Sequence, residues 1–349
     1  MGKMAKFTAI DLFCGAGGLS LGLERAGFRV VSAVEVKKEI AKTYKANHPR
    51  TKVVIDDIRN VTGATLLNSL QSRKVDMVAG CPPCQGFSSL TRKYHREDPR
   101  NTLVLEMARI IEETNPEMVM MENVPGLATA GKKFLDEFVK RLQAKGYVIN
   151  MGVLQLADYG VPQTRRRFVL LAGKGFEIPL PKPVNRKLTT QDAIGRIKER
   201  PVTLAYAMEN GGPQKFNWHI IRNLKPLSIK RLKALKAGNS RFMLPKKLRP
   251  RCHANSEKGF QNVYGRMSWR QVPPTITSGC TTPCMGRFGH PSQLRTISVR
   301  EAALIQTFPK NYKFETQYMD TACDLVGNAL PPKFAELVAV ACLMSYAKY

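Results

Sequence analysis

Acidic side chains are scarce in this 349-residue chain, with 27 Asp and Glu against 55 Lys and Arg, a formal net charge of +28. Such an excess favours polyanions, nucleic acid first, with a merely basic surface as the bland alternative. No run of about 18 apolar residues occurs, which argues against a spanning helix and hence against a membrane partner. The opening MGKMAKFTAI has no apolar signal core and no small-residue cleavage site. Eight cysteines scattered over the whole length do not form a disulfide framework, and they fit a reducing compartment. No internal repeat or low-complexity tract stands out. What is present is 43% hydrophobic residues, enough for one large core or two modest ones and too many for disorder. The expectation is a soluble, intracellular, basic globular protein.

The charge is uneven. Residues 174–295 hold 24 Lys and Arg but 5 Asp and Glu, and no acid lies between Glu209 and Glu257. Pro179-Leu180-Pro181-Lys182-Pro183 and Gly211-Gly212-Pro213 interrupt the pattern there, which puts a domain boundary near 180. Before it, short β-branched runs alternate with amphipathic stretches. Strands are expected at Phe7–Phe13, Val30–Val34, Lys52–Ile55, Val75–Ala79, Met118–Met121, Tyr147–Leu154 and Arg167–Leu171. Helices fit at Leu19–Ala26 (closed by Gly27), Lys37–Asn47, Thr102–Glu113 and Lys132–Ala144. This order predicts an α/β fold, a mostly parallel sheet with helices on both faces. Ligands of such sheets bind at the carboxyl ends of the strands.

Each strand end carries polar residues. Gly15-Ala16-Gly17-Gly18 follows the first strand and opens a helix, as a nucleotide-type ligand approaching bare backbone requires. Glu35 ends the second strand, where a carboxylate can accept two ribose hydroxyls. Ser20 takes the third glycine position, so the dinucleotide fingerprint is incomplete. Asp56-Asp57-Ile58 ends the third strand, as an adenine contact or a loop cap. In Gly80-Cys81-Pro82-Pro83-Cys84-Gln85, two prolines hold the Cys84 thiol at a strand end. Such a thiol is an activated nucleophile, half of a zinc site with Cys280 and Cys284, a redox pair, or a buried structural cysteine. Glu122-Asn123-Val124 ends the next strand with a carboxylate that either points into a cleft or has no task there. Alternation puts Gln163, Arg165 and Arg167 on one strand face, either converging on a planar polar group or starting a solvated basic strand.

Together these motifs resemble those of the cytosine-C5 DNA methyltransferases. Asp11-Leu12-Phe13-Cys14-Gly15-Ala16-Gly17-Gly18, Pro83-Cys84-Gln85, Glu122-Asn123-Val124 and Gln163-x-Arg165-x-Arg167 match in the family's order. Arg266 with Pro274-Thr275-Ile276-Thr277, and Gly327-Asn328-Ala329 with Pro331-Pro332, complete the set, spanning residues 11–332. The resemblance implies a Rossmann-like fold that binds S-adenosylmethionine and releases S-adenosylhomocysteine. Cys84 would add to carbon 6 of a flipped cytosine, Glu122 would hold N3 and the exocyclic amine, Arg165 would bind O2, and Arg167 would position Glu122. Phe13, Gly15, Gly18, Glu35, Asp57, Ile58, Pro83, Leu103 and Asn328 would line the cofactor pocket, with no metal. Val36 and Cys81 depart from the family's usual residues.

The resemblance also implies double-stranded DNA as partner, a nucleoid-associated cytoplasmic location and a prokaryotic modification system, with a cognate restriction endonuclease acting on the same site. A catalytic domain is expected at 1–182 and 295–349, with helices near Ser298–Gln306 and Leu330–Tyr349. A small basic target-recognition domain is expected at 183–294, with Lys225, Lys230, Arg231, Lys233, Lys236, Arg241, Lys246, Lys247, Arg249 and Arg251 facing phosphates. The loop Ser88–Arg100, carrying Arg92, Lys93, His95 and Arg96, would close over DNA. Competing readings are an RNA (tRNA) cytosine-C5 methyltransferase of the same fold, a nicotinamide dehydrogenase, and a non-catalytic nucleic-acid-binding module.

Overall fold

A computed structural model describes the chain apart from residues 1–6, 69, 71–73, 84–97, 185 and 254–258. In chain order it runs β1 (Phe7–Leu12), α1 (Gly18–Ala26), β2 (Phe28–Val34), α2 (Lys38–Asn47), β3 (Lys52–Val54), α3 (Gly63–Leu67), β4 (Met77–Gly80), α4 (Leu103–Thr114), β5 (Met118–Asn123), α5 (Lys132–Ala144), β6 (Tyr147–Gln155) and β7 (Arg166–Lys174). Then follow α6 (Thr190–Ile194), β8 (Val202–Thr203), α7 (Leu204–Glu209), β9 (Ile220–Ile221), α8 (Pro226–Ala234), α9 (Val299–Ile305), α10 (Met319–Gly327) and α11 (Pro332–Tyr346). These fall into two compact units. The first comprises Met1–Tyr159, Arg166–Pro183 and Leu330–Tyr349, and the second Gly160–Arg165 and Val184–Ala329.

The first unit is the expected α/β fold. Its sheet has the order β3-β2-β1-β4-β5-β7-β6. Every pairing is parallel except those of β7, which runs antiparallel to β5 and β6. Ile10 and Leu12 alternate with Asp11 on β1, so the two faces receive different neighbours. The first two join Val104, Met107 and Ile111 of α4 and Leu135, Phe138 and Leu142 of α5 in the main core. Asp11 instead meets Ser20 of α1. On that face α1 packs against α11 so closely that a Cβ on Gly22 would lie 2.3 Å from Ala335 Cβ. Gly27 closes α1 with φ of 107°, the left-handed conformation that favours glycine. Strand order reverses at β1, which pairs with β2 on one side and β4 on the other. The loops after β1 and β4 therefore open side by side at the switch point, where ligands of such sheets bind.

The second unit is built from short helices, 3₁₀ turns and the two-residue strands β8 and β9. Buried charge knits it. Arg295 and Glu301 are paired at 2.7 Å inside it, and Glu301 also closes the capping box of α9 with Ser298. Trp218 is buried and donates from Nε1 to Phe314 O.

The boundary expected after 182 falls after Pro183, while the return expected at 295 falls at Leu330. Segment 295–329 stays with the second unit because its polar groups are used there. Arg300 donates to Asn217 O and Tyr312 O, and a Cβ on Gly327 would strike Ser278 N at 2.3 Å. Taken together, Met319–Tyr346 is long and apolar enough for a membrane span. It is nevertheless two helices separated at residues 328–331, and 61% of its most apolar window is buried within the protein.

Candidate active site

The loop after β1 is shaped by its backbone. Phe13 has φ of 63°, Gly15 54° and Gly17 87°, so three left-handed residues turn the chain sharply before α1 begins at Gly18. For Phe13 this conformation is costly, a form of strain that tends to occur at functional sites. Around Gly15 the space is open, since a Cβ there would meet nothing nearer than Phe13 O at 3.9 Å. Glu35 follows β2 and spans the loop: Oε2 accepts from Gly15 N–H at 3.1 Å and Oε1 from Lys37 N–H at 2.9 Å. Burial pushes its carboxyl above the ordinary value, and those backbone donors offset part of the rise. Asp57 caps the turn after β3, where Arg59 binds both of its oxygens and holds its pKa down at about 2. Ile58 and Leu103 are buried in the core beside this edge of the sheet, and Leu103 opens α4.

Asp11 lies beneath the loop, fully buried. Oδ2 accepts from Ser20 Oγ at 2.6 Å, and the Ser20 hydroxyl also contacts Tyr44 OH at 2.6 Å. Oδ1 has no hydrogen-bond partner among the described residues. Burial raises this carboxyl to about 7. Asp11 stands in the quoted motif, but its sequence signal is only a polar residue in an apolar strand, and the partners Ser20 and Tyr44 come from α1 and α2.

Glu122 and Asn123 end β5, both buried. Arg167 Nε lies 2.5 Å from Glu122 Oε1, brought there by the antiparallel register of β7 on β5. The Cys81 thiol hydrogen-bonds Glu122; burial pushes it well above the ordinary thiol value and the nearby carboxylate adds to the rise. Cys81 is thus held as a neutral donor, a poor candidate for a metal-binding thiolate. Among the described residues no group of three His, Cys, Asp or Glu side chains is placed to hold a metal ion. Asn123 Nδ2 donates to Pro82 O at 3.1 Å, and its Oδ1 accepts from Val124 N–H. Sequence reasoning quoted Asn123 without giving it a role; here it ties the loop after β4 to the end of β5. Pro83 closes the described part of that loop, and Cys84 lies outside the described residues, as does the loop expected over DNA as far as residue 97.

One local reading is corrected. Gln163, Arg165 and Arg167 do not share a strand face, because β7 begins at Arg166 and Gln163–Arg165 belong to the second unit. Thr164 N–H donates to Pro273 O, which draws this stretch out of line with the strand. Arg165 is buried, with Nη1 on Ile276 O at 2.8 Å and Nη2 on Gly327 O at 3.1 Å. Gln163 bonds Gln306 and accepts from Ile276 N–H. The Thr275–Thr277 and Gly327–Asn328 motifs, distant in sequence, thus meet around Arg165, while Asn328 is exposed at the end of α10.

The expected phosphate contacts divide in two. Arg241 is buried on Gly259 O and Phe260 O, Arg231 donates to Leu248 O, and Arg249 to Leu244 O and Phe242 O. Lys225, Lys230, Lys233, Lys236, Lys246, Lys247 and Arg251 are exposed.

A family model described as C-5 cytosine-specific DNA methylase matches residues 7–343. The Type II methylase M.HgiDII of Herpetosiphon aurantiacus is 35% identical over 341 residues, covering 95% of this chain and 94% of that protein. The Type II methyltransferase M1.HphI of Haemophilus parahaemolyticus is also 35% identical over 341 residues, covering 96% and 86%. Among solved structures, a prophage-encoded E. coli protein described as a DNA modification methyltransferase superposes with a TM-score of 0.75 at 23% identity, covering 98% of this chain and 100% of that one. At that identity the likeness concerns the fold.

Two outcomes are expected from this geometry. The folded protein keeps a proton on Asp11 up to about pH 7, whereas an ordinary Asp loses it near 3.8. Stability therefore falls as pH rises between those values, by up to about 4 kcal/mol at 1.36 kcal/mol per unit. Urea titrations at pH 5 and pH 8 check this, and Asp11→Asn should shrink the difference between them. Asn123→Ala frees the Pro82 carbonyl. It should cost about 1–3 kcal/mol in stability and, by loosening the loop that carries Cys84, lower turnover about 10–100-fold with little change in DNA affinity.

Proposed function

The chain belongs to the C-5 cytosine-specific DNA methylase family, and we propose how its residues divide that family's reaction. It is an enzyme that methylates carbon 5 of cytosine in DNA, through a thiolate added to carbon 6 of a flipped base. Relatives bearing Type II methyltransferase names favour DNA over structured RNA as substrate. A dehydrogenase reading leaves Cys84 and the Glu122–Arg167 pair without a task. A binding module leaves them unexplained as well.

The loop after β1 fits a nucleoside cofactor. Gly15 offers open space beside bare backbone, and Glu35 presents a partly desolvated carboxylate where ribose hydroxyls would donate. On this reading S-adenosylmethionine is held by Phe13, Gly15, Gly18, Glu35, Asp57, Ile58, Pro83, Leu103 and Asn328, and when bound it supplies an electrophilic methyl group. Ile58 is buried and the Asp57 oxygens are engaged by Arg59, so the backbone at 57–58 is the better surface for an adenine edge.

Carbon 5 of cytosine becomes nucleophilic only after the ring is broken open electronically. Cys84 would do this by forming a bond to carbon 6, pushing electron density toward carbon 5 and negative charge onto N3 and O2. Glu122 would hold N3 and the exocyclic amine and share a proton as charge grows on N3. Arg167, 2.5 Å from Glu122, fixes that carboxylate's direction. Arg165 would stabilise charge on O2; its anchorage on Ile276 O and Gly327 O keeps its direction fixed. Once carbon 5 carries the methyl group, loss of its proton and departure of the Cys84 sulphur would restore the aromatic ring and leave 5-methylcytosine.

Extruding the base costs a few kcal/mol, which phosphate contacts of the exposed lysines would offset, making affinity fall with salt. A Type II modification enzyme acts in the compartment that holds the DNA, beside an endonuclease reading the same site.

The observation that carries the assignment is the Glu122–Arg167 pair at the strand end next to the Cys84 loop. The protein incubated with S-adenosylmethionine and mixed-sequence duplex DNA should leave 5-methylcytosine at one defined sequence on bisulfite mapping. Folded protein that leaves every cytosine unmethylated would sink the reading.

A further inference from the structure

The second unit holds a cavity of about 270 Å³ that the methylation chemistry does not use. It lies between the stretches around residues 197–200, 215–219 and 300–310, all within that unit. Its floor is apolar, formed by Ile197, Phe216 and Leu304, and its remaining walls are largely cationic.

Arg300 is the central cation. It is 3% exposed, and each hydrogen bond it donates among the described residues ends on a neutral oxygen: Asn217 O and Oδ1, Pro309 O and Tyr312 O. These use four of its five N–H donors, leaving one on Nη1. No carboxylate compensates it, and burial lowers its pKa to about 10. The acid in the cavity wall, Glu199, is 2.6 Å from Lys310 and thus already neutralised. Arg200 and Lys215 are exposed at the cavity and form no hydrogen bond or ion pair among the described residues. His219 is spent on Ser298 Oγ and Glu199 O. Three cations therefore face a small space whose lining carboxylate, Glu199, is already paired with Lys310. A buried positive charge in this condition is stabilised by an anionic ligand.

We propose that this cavity binds one nucleotide unit, its base against Phe216 and its phosphate between Arg200, Lys215 and Arg300. The volume sits just below the roughly 300 Å³ at which pockets for whole small molecules begin, so a single nucleotide is the upper limit. An aromatic ring in such a site adds stacking of about 1–3 kcal/mol per base, and Arg and Lys supply the phosphate contacts. A free nucleoside monophosphate and one residue of a DNA strand present the same chemistry.

Calorimetry on the full chain, saturated with S-adenosylhomocysteine to block the cofactor loop, tests this with adenosine monophosphate, inorganic phosphate and a short single-stranded oligonucleotide. Adenosine monophosphate should bind once per chain and at least tenfold tighter than phosphate. Arg200→Ala with Lys215→Ala should weaken it at least tenfold, and Phe216→Ala should remove its advantage over phosphate. Lys140→Ala with Lys145→Ala removes the same charge from an exposed part of the first unit and should leave binding unchanged. These are surface substitutions; Arg300 is left intact because its carbonyl bonds hold the unit together. If the oligonucleotide alone binds, and the Arg200/Lys215 pair weakens it while the Lys140/Lys145 pair does not, the nucleotide comes from a strand. No binding of either ligand, equal loss in both double variants, or phosphate matching adenosine monophosphate overturns the proposal. Each readout is independent of methyl transfer.

Discussion

Glu122 and Arg167 are paired at 2.5 Å, both largely removed from water, at the end of a strand whose four preceding residues are apolar. Two charges in such a place cost more to desolvate than a hydrophobic pair of the same volume, so stability alone gives no reason to keep them. Their position depends on one feature of the fold, the antiparallel β7 inserted beside an otherwise parallel set. That register carries Arg167 to the carboxyl end of β5. The next residue, Asn123, reaches from the same strand end to Pro82, so the carboxylate and the cysteine loop are fixed by neighbouring groups. The loops after β1 and β4 open side by side because β1 pairs with both β2 and β4.

Charge does two different tasks in the second unit. Its regular structure is sparse, and arginines make up for that by binding backbone carbonyls that no helix or sheet satisfies: Arg231, Arg241, Arg249, Arg266 and Arg300 all do so. The lysines stay at the surface. The division follows from the side chains themselves, since a planar fork with five donors can serve several carbonyls at once, whereas an ammonium is strongly hydrated. The lysines are therefore the main exposed cations among these residues, and a count of positive residues overstates the charge at the surface.

Much of this was legible in the sequence because it is local. Each expected strand is present, and α5 spans Lys132–Ala144 as read. The loops fell where alternating patterns met glycine or proline. What was hidden is tertiary. Period-two reasoning placed Gln163, Arg165 and Arg167 on one face, but a backbone bond from Thr164 to Pro273, more than a hundred residues away in sequence, takes the first two out of the strand. Composition ended the basic segment at Arg295, whereas the Arg300 bonds and the tight Gly327 contact carry the second unit to Ala329. The raised pKa of Asp11 comes from burial beneath the loop, beside Ser20 of α1 and Tyr44 of α2, and has no signature in one dimension.

We propose that the loop tied to Asn123 at Pro82 delivers the Cys84 sulphur to carbon 6 of a cytosine. DNA carrying 5-fluorocytosine at the methylated position tests it most directly, because the fluorine on carbon 5 cannot leave as a proton does and the sulphur stays attached. Peptide mapping of the trapped complex should find the nucleotide on Cys84, with no adduct in Cys84→Ser. An adduct on Cys81, or one that survives Cys84→Ser, would contradict the account.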